Sequence, residues 1–347
     1  MIRCCTILAV AFAFSACVNG IEPPKPTTLV KVAGGEFLFG STEPCFNKSE
    51  SVTTCKLDNP GMKPTDPAVK VTLQPFAIEE HEVTNFQYEY CVARGVCKDL
   101  DAYNVQGIDS YFLNPAYRSF PVANVNVEMA AAYCRFVGRR LPTEVEWERA
   151  AAGPALTLAD KRVYPIDDGE TPIASCGSGK IVAMKTCTGI IQPSAVKSSI
   201  DDVVYEAGAP IYDLAGNMAE LVDGAYVPDV TCKTALPPQC QDCFTCTSTD
   251  CKSSCYLDCK ACDDDATCFN QCKTESFPGI PRCFSYGDAA QDPKVLYVPV
   301  GDKRLARGGS YVDGDNQSCR ASTTDRGRYF IQSQAQVMVG FRCAVDQ

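Results

Sequence analysis

The sequence predicts an α+β body, rich in loops and poor in helices, interrupted by a disulfide-rich insertion. Three observations carry this. Short runs of alternating apolar residues mark strands early in the chain. Three stretches combine helical periodicity with capping residues. Cysteines then crowd one apolar-poor region, where eleven of the 23 in the chain fall between Cys232 and Cys283.

The elements follow in order. "MIRCCTILAVAFAFSAC" has a short basic start at Arg3, and Thr6 to Ala16 form an apolar core too short to span a bilayer. "FSAC" resembles a bacterial lipoprotein signal, making residues 1–17 a leader and Cys17 the acylated first residue. An ordinary signal peptide cut after Gly20 is the alternative. Both readings export the protein to an oxidising compartment, where thiols become disulfides. The sequence predicts a cell-envelope location and a membrane contact made only through the lipid anchor. Residues 18–28, containing "NGIEPPKPTT", form a Pro-rich tether.

"LVKVAGGEFLFGS" reads as a strand broken by Gly-Gly, and "VKVTLQPFAIEEHEVT" as two further strand segments. Thr84 opens "TNFQYEYCVA" with Gln87 three residues on, a capping box. Asn126 precedes "VEMAAAYCRFVG", whose Met129, Tyr133, Phe136 and Val137 form one apolar stripe, with Gly138 as the stop. Thr143 and Glu146 make a second capping box in "TEVEWERAAAG", with Trp147 on the buried face. From Gly153 to Pro210 the pattern is loop-rich, with weak strands at "GKIVAM" and "DDVVYEA" and no helix.

Composition changes after Val227. Residues 29–227 are the first part of the body, 228–298 the cysteine-rich insertion, and 299–347 the closing part. Cys251, Cys255 and Cys259 recur every four residues, as do Cys268 and Cys272, which suits a small stapled helical hairpin. "CQDCFTC" suggests zinc in a reducing cell, but an export signal favours disulfides. "DDD" at Asp263 to Asp265 is a solvated loop tip.

Totals exclude several functions. The net charge is −10 and the pI about 4.8, which disfavours a nucleic-acid partner. One histidine, His81 in "EEHEVTN", rules out mechanisms needing several imidazoles and is read as a structural residue between strand and helix.

Read together, "VAGGEFLFGS", "EVTNFQYEYCV", "GRRLPTEVEWERAA", "YDLAGNMAEL", "RGGSY" and "VGFRCAVD" resemble the formylglycine-generating enzyme family, the sulfatase-modifying factors. The resemblance covers roughly residues 29–227 and 304–346. It implies a variant of the C-type lectin fold. Active members oxidise a sulfatase cysteine, holding Cu(I) between two thiolates just after the Gly-Gly-Ser-Tyr turn and using oxygen. Here those positions read Asp313 and Ser318, with Cys319 one residue late. A carboxylate and a hydroxyl do not make a soft-metal site, so copper is not expected. Asp313 and Asp315 lie in "DGDN", which reads as a surface turn, with an acid/base pair or Ca²⁺ ligands as alternatives. The family's iron branch needs histidines that this chain lacks.

The resemblance also implies a structural Ca²⁺ at "DLAGNMAE". Its ligands would be Asp213 and Glu220 with the carbonyls of Gly216 and Met218, hard oxygens suited to Ca²⁺. The alternative is a loop tied by hydrogen bonds from Asn217 and Glu220. A second family calcium site meets Ser175 where asparagine is usual. The family pairs the cysteines matching Cys134 and Cys343. Its usual partner for the "CRA" cysteine is Ala151 here, so Cys319 is left to reach the insertion. Cys45–Cys55, Cys91–Cys97 and Cys176–Cys187 fit local pairs, although spacing does not fix connectivity. Excluding Cys4, Cys5 and Cys17, nine cysteines lie in the body and eleven in the insertion. Both counts are odd, so complete pairing needs a bridge between the two.

The resulting expectation is a non-catalytic family member that binds a protein or glycan ligand. Its rivals are a divergent copper- and oxygen-dependent oxidoreductase using Cys319 with an insertion thiolate, and a purely structural envelope protein.

Overall fold

The computed structural model describes residues 22–40, 69–166, 184–225, 303–313, 320–325, 328–331 and 333–347. Its strands are β1 (Leu29–Val32), β2 (Gly35–Phe39), β3 (Val69–Leu73), β4 (Phe76–Glu79), β5 (Val203–Glu206), β6 (Ala209–Tyr212), β7 (Ala219–Ala225), β8 (Lys303–Arg307), β9 (Arg328–Ile331), β10 (Val339–Gly340) and β11 (Ala344–Asp346). The helices are α1 (Asn85–Ala93), α2 (Val127–Phe136), α3 (Glu144–Ala152) and the single turn α4 (Lys185–Thr188). A 3₁₀ turn lies at Pro115–Tyr117.

Gly34 and Gly35 separate β1 from β2. A side chain at Gly34 would meet the Pro75 nitrogen at 2.7 Å, so the chain passes its neighbour only as glycine. β1 and β11 both pair antiparallel with β4, bringing the two ends of the described chain into one sheet. The larger sheet runs β10-β7-β8-β9, and β2–β3 and β5–β6 form two hairpins.

The expected caps are present. Thr84 with Gln87 and Thr143 with Glu146 form reciprocal capping boxes, and Asn126 caps α2. Gly138 follows α2 at φ +74, the left-handed stop that its position suggested. α3 is buried along its whole length. One core packs Trp147 with Phe37, Phe39, Phe76 and Leu305. A second joins α1 and α2 through Tyr88 and Tyr133 against Phe341.

Three features depart from expectation. α4 lies in the stretch where no helix was expected, and a left-handed Gly189 ends it after one turn. "DDVVYEA" does contain β5, but its partner β6 carries Pro210 and gave no alternating signal. The tether is clamped before it ends: Gln87 donates to the Thr27 hydroxyl at 2.7 Å, and Arg139 donates to the Thr27 carbonyl at 2.9 Å. "GKIVAM" lies outside the described residues except for Met184, as do Cys17 and the insertion.

Two disulfides are described, Cys91–Cys97 and Cys134–Cys343. The remaining body cysteines fall outside the described residues or side chains. Cys134–Cys343 closes a loop of 209 residues within the second core, so it strongly constrains the unfolded chain. Replacing both cysteines by alanine is expected to cost about 2–5 kcal/mol, measured by urea denaturation without reductant.

Candidate functional site

The Gly-Gly-Ser-Tyr turn is seated on α3. Arg307 ends β8, is fully buried, and stacks over Trp147 at 5.4 Å. It donates to Glu148 at 2.5 Å, to the Thr323 carbonyl at 2.6 Å and to the Asp325 carbonyl at 2.8 Å. Gly308 follows at φ +78, where a side chain would sit 2.7 Å from the Leu214 oxygen and 3.1 Å from Trp147. A side chain at Gly309 would collide with the Ala215 carbonyl. Both glycines are therefore required by close approach of the 213–218 loop. The Tyr311 amide donates to the Asn217 carbonyl at 2.8 Å, and its hydroxyl donates to the Val337 carbonyl at 3.1 Å.

Asp313, which the sequence resemblance sets against the first of the family's two thiolate positions, is only 2% exposed. Its Oδ2 accepts the Ser310 amide at 2.7 Å and the Ser310 hydroxyl at 3.0 Å, and its own amide returns to the Ser310 carbonyl at 3.0 Å. The turn described here is Ser310–Asp313, which closes before the rest of "DGDN", and Asp313 within it is buried. The reason is that the carboxylate finds its partners within the turn instead of in water. Asp315, Ser318, Cys319 and Ser175 lie outside the described residues.

Beneath this turn, the 213–218 loop rests on buried carboxylates. Asp202 accepts the Ala215 and Gly216 amides, each at 2.9 Å. Glu82 accepts the Met218 amide and the Asn217 side-chain amide, also at 2.9 Å. Asp213 accepts the Lys197 amide through Oδ2 at 2.7 Å. Glu220 is gripped by Arg342 at 2.5–2.8 Å and by the Trp147 indole at 2.8 Å. Burial raises the acids first, and neighbouring carboxylates add to it. Glu82 is raised by burial and then by Asp213 and Glu220, and Asp213 by burial and then by Asp202. Asp202 is pushed up by burial to about 7, although the loop amides oppose this.

The calcium expectation can be tested on these contacts. Asp213 fits: its Oδ1 is buried and has no hydrogen-bond partner, and an orphaned hard oxygen suits Ca²⁺. Glu220 does not fit, because both of its oxygens are held by Arg342 and Trp147. Among the described residues, no group of three or more His, Cys, Asp or Glu side chains could hold a metal ion. Asp202 and Glu82 accept the loop's hydrogen bonds, Asn217 among the donors, while Glu220, the other residue of the alternative reading, is held by Arg342 and Trp147.

A loop-rich α+β body, with a glycine turn packed on a capped helix and on the "LAGN" loop, defines a formylglycine-generating-type fold. A model of the sulfatase-modifying factor enzyme 1-like domain matches residues 18–347, and the chain belongs to that family. A Chlamydia pneumoniae protein named serine/threonine-protein kinase pkn1 is 34% identical over 151 residues, covering 40% of this chain and 22% of the kinase. The mouse protein named inactive C-alpha-formylglycine-generating enzyme 2 is 28% identical over 160 residues, covering 36% of this chain and 47% of its own length. These curated relatives thus extend well beyond the matched region. The solved structure of PvdO from Pseudomonas aeruginosa superposes with a TM-score of 0.53 at 19% identity, covering 93% of this chain and all of that one. That likeness concerns the fold.

Sequence reasoning missed Glu82, Asp202 and Arg342. Glu82 and Arg342 reach their partners across more than 120 residues, and Asp202 reaches the loop 13 and 14 residues on, a separation that no helical or strand period marks. His81 was placed correctly at the junction. It is buried, with Nδ1 2.7 Å from the Glu82 carbonyl, and burial holds its imidazole down at about 4. A depressed base stabilises the fold above its unfolded pKa of about 6.5 and loses that contribution as pH falls through the folded value. The loss is on the order of 3 kcal/mol. The buried acids shift in the opposite sense, so the comparison is differential: between pH 6.5 and 4, wild type should lose more stability than His81→Gln in urea denaturation.

Proposed function

We propose that this protein is an exported, lipid-anchored member of the sulfatase-modifying factor family that binds a protein or glycan at the cell envelope rather than oxidising cysteine. The observation that carries this reading is Asp313. At a position where an active member needs a thiolate, this chain has a carboxylate that is buried and hydrogen-bonded to Ser310. A group used in this way offers no soft ligand to Cu(I). The mouse relative named inactive is in keeping with a family in which the fold outlasts the chemistry. Export rests on the leader-like residues 1–17. It is compatible with the two described disulfides. No helix of the described residues is long and apolar enough to cross a membrane.

The rival oxidoreductase needs Cys319 as a free thiolate. The purified full chain is titrated with Cu(I) against a colorimetric chelator, with thiols counted by alkylation. No stoichiometric uptake and no free thiol are expected. Tight binding of one Cu(I), lost in Cys319→Ser, would replace the binding role with the oxidase. Capture of a specific surface protein or glycan by the wild-type protein then separates a binding module from a purely structural one.

A second reading concerns calcium, favoured by the orphaned Asp213 Oδ1. We propose Ca²⁺ held by Asp213 with the carbonyls of Gly216 and Met218, Glu220 remaining with Arg342. Calcium should then raise the melting temperature by several degrees over a chelator control, and Asp213→Asn should abolish the shift. An equal response in both proteins would remove calcium from this loop.

A further inference from the structure

Strands β7 and β8 are antiparallel neighbours, with Glu220 opposite Arg307 and Ala225 opposite Arg304. Residues 226–302 therefore leave and re-enter the body at adjacent positions of one ladder, on the order of 5 Å apart. Arg307 leads directly into Gly308. Arg304 lies about 10 Å back along the strand. The roots of the segment thus sit at the end of the ladder away from the glycine turn.

The ladder does not need a long connection, since an antiparallel pair can be closed by a two-residue hairpin. Its buried residues have partners outside the segment. Leu305 and Val222 pack in the core with Trp147, and Leu221 and Ala306 in the core with Tyr133. β9 and β10 pair on either side of the two strands.

The cysteines add a separate constraint. Either way of removing the leader leaves nine cysteines in the body and eleven in residues 226–302. Cys91–Cys97 and Cys134–Cys343 use two pairs in the body. Cys45, Cys55, Cys176, Cys187 and Cys319 remain. Two odd sets cannot each close internally.

We propose that residues 226–302 form an appendage hung on the β7–β8 ladder, dispensable to the fold of the body and tied back to it by an odd number of disulfides. The tie rests on the export reading, because it requires the thiols to be oxidised. It engages one or more of the five remaining body cysteines.

The test uses the full chain, with sites for a specific protease placed after Ala225 and before Lys303. After cleavage, the native body should keep its melting temperature to within about 4 °C. On a denaturing gel the segment should travel with the body without reductant and separate once reductant is added. Unfolding of the body on cleavage would overturn the appendage. Release without reductant, with an unpaired thiol found by alkylation on both the segment and the body, would overturn the tie alone. Free thiols throughout the uncleaved protein would overturn the tie together with the export reading.

Discussion

The fold turns on a buried ion pair between Glu220 and Arg342. Its members come from distant parts of the sequence. Glu220 stands on β7, and Arg342 lies just before β11, 122 residues further on. The Trp147 indole joins them from α3, so one carboxylate links two strands and a helix. Arg342 also donates to the Glu79 and Tyr212 carbonyls, tying in β4 and β6. Neither charged side chain is exposed by more than 1%. A pair so deeply desolvated is a weak contributor to stability as a unit, but removing one partner leaves a buried charge without its counter-ion. Its value lies in fixing how these elements meet.

The same pair explains how a loop can run through the interior. Buried backbone amides need partners, and a body with few helices and short strands cannot supply them all from ladders. Here carboxylates take that place, with Asp202 under Ala215 and Gly216 and Glu82 under Met218. Such an arrangement gathers negative charge where water is absent. Arg342 offsets part of it, and burial raises the pKa of Glu82, Asp202 and Asp213, favouring the neutral forms. The loop is thereby rigid enough for Gly308 and Gly309 to pack directly against its carbonyls.

What could be read from the sequence was what is local. The three capped helices were legible because an N-cap and its partner are three residues apart, and the structure has both capping boxes. The Gly-Gly turns were legible because glycine alone tolerates such approach. β10 and β11 are two and three residues long and pair with strands far away in sequence, so no periodicity could mark them. At the site, the burial of Asp313 depends on its bonds to the Ser310 amide and hydroxyl, which residue type alone does not announce. The Glu82 contact with Asn217 spans 135 residues and had no local trace. Glu220 was legible as an important acid, but its partner Arg342 lies 122 residues away and left no local trace.

The same frame holds the glycine turn. Arg307, Gly308 and Gly309 seat it on α3 and on the 213–218 loop, and Asp313 closes it from within through Ser310. A carboxylate succeeds where an apolar replacement would not, since it accepts the Ser310 amide and hydroxyl that burial would otherwise leave unpaired. The acidic loop and its arginine thus hold the turn from below, where Gly308 and Gly309 meet the Leu214 and Ala215 carbonyls.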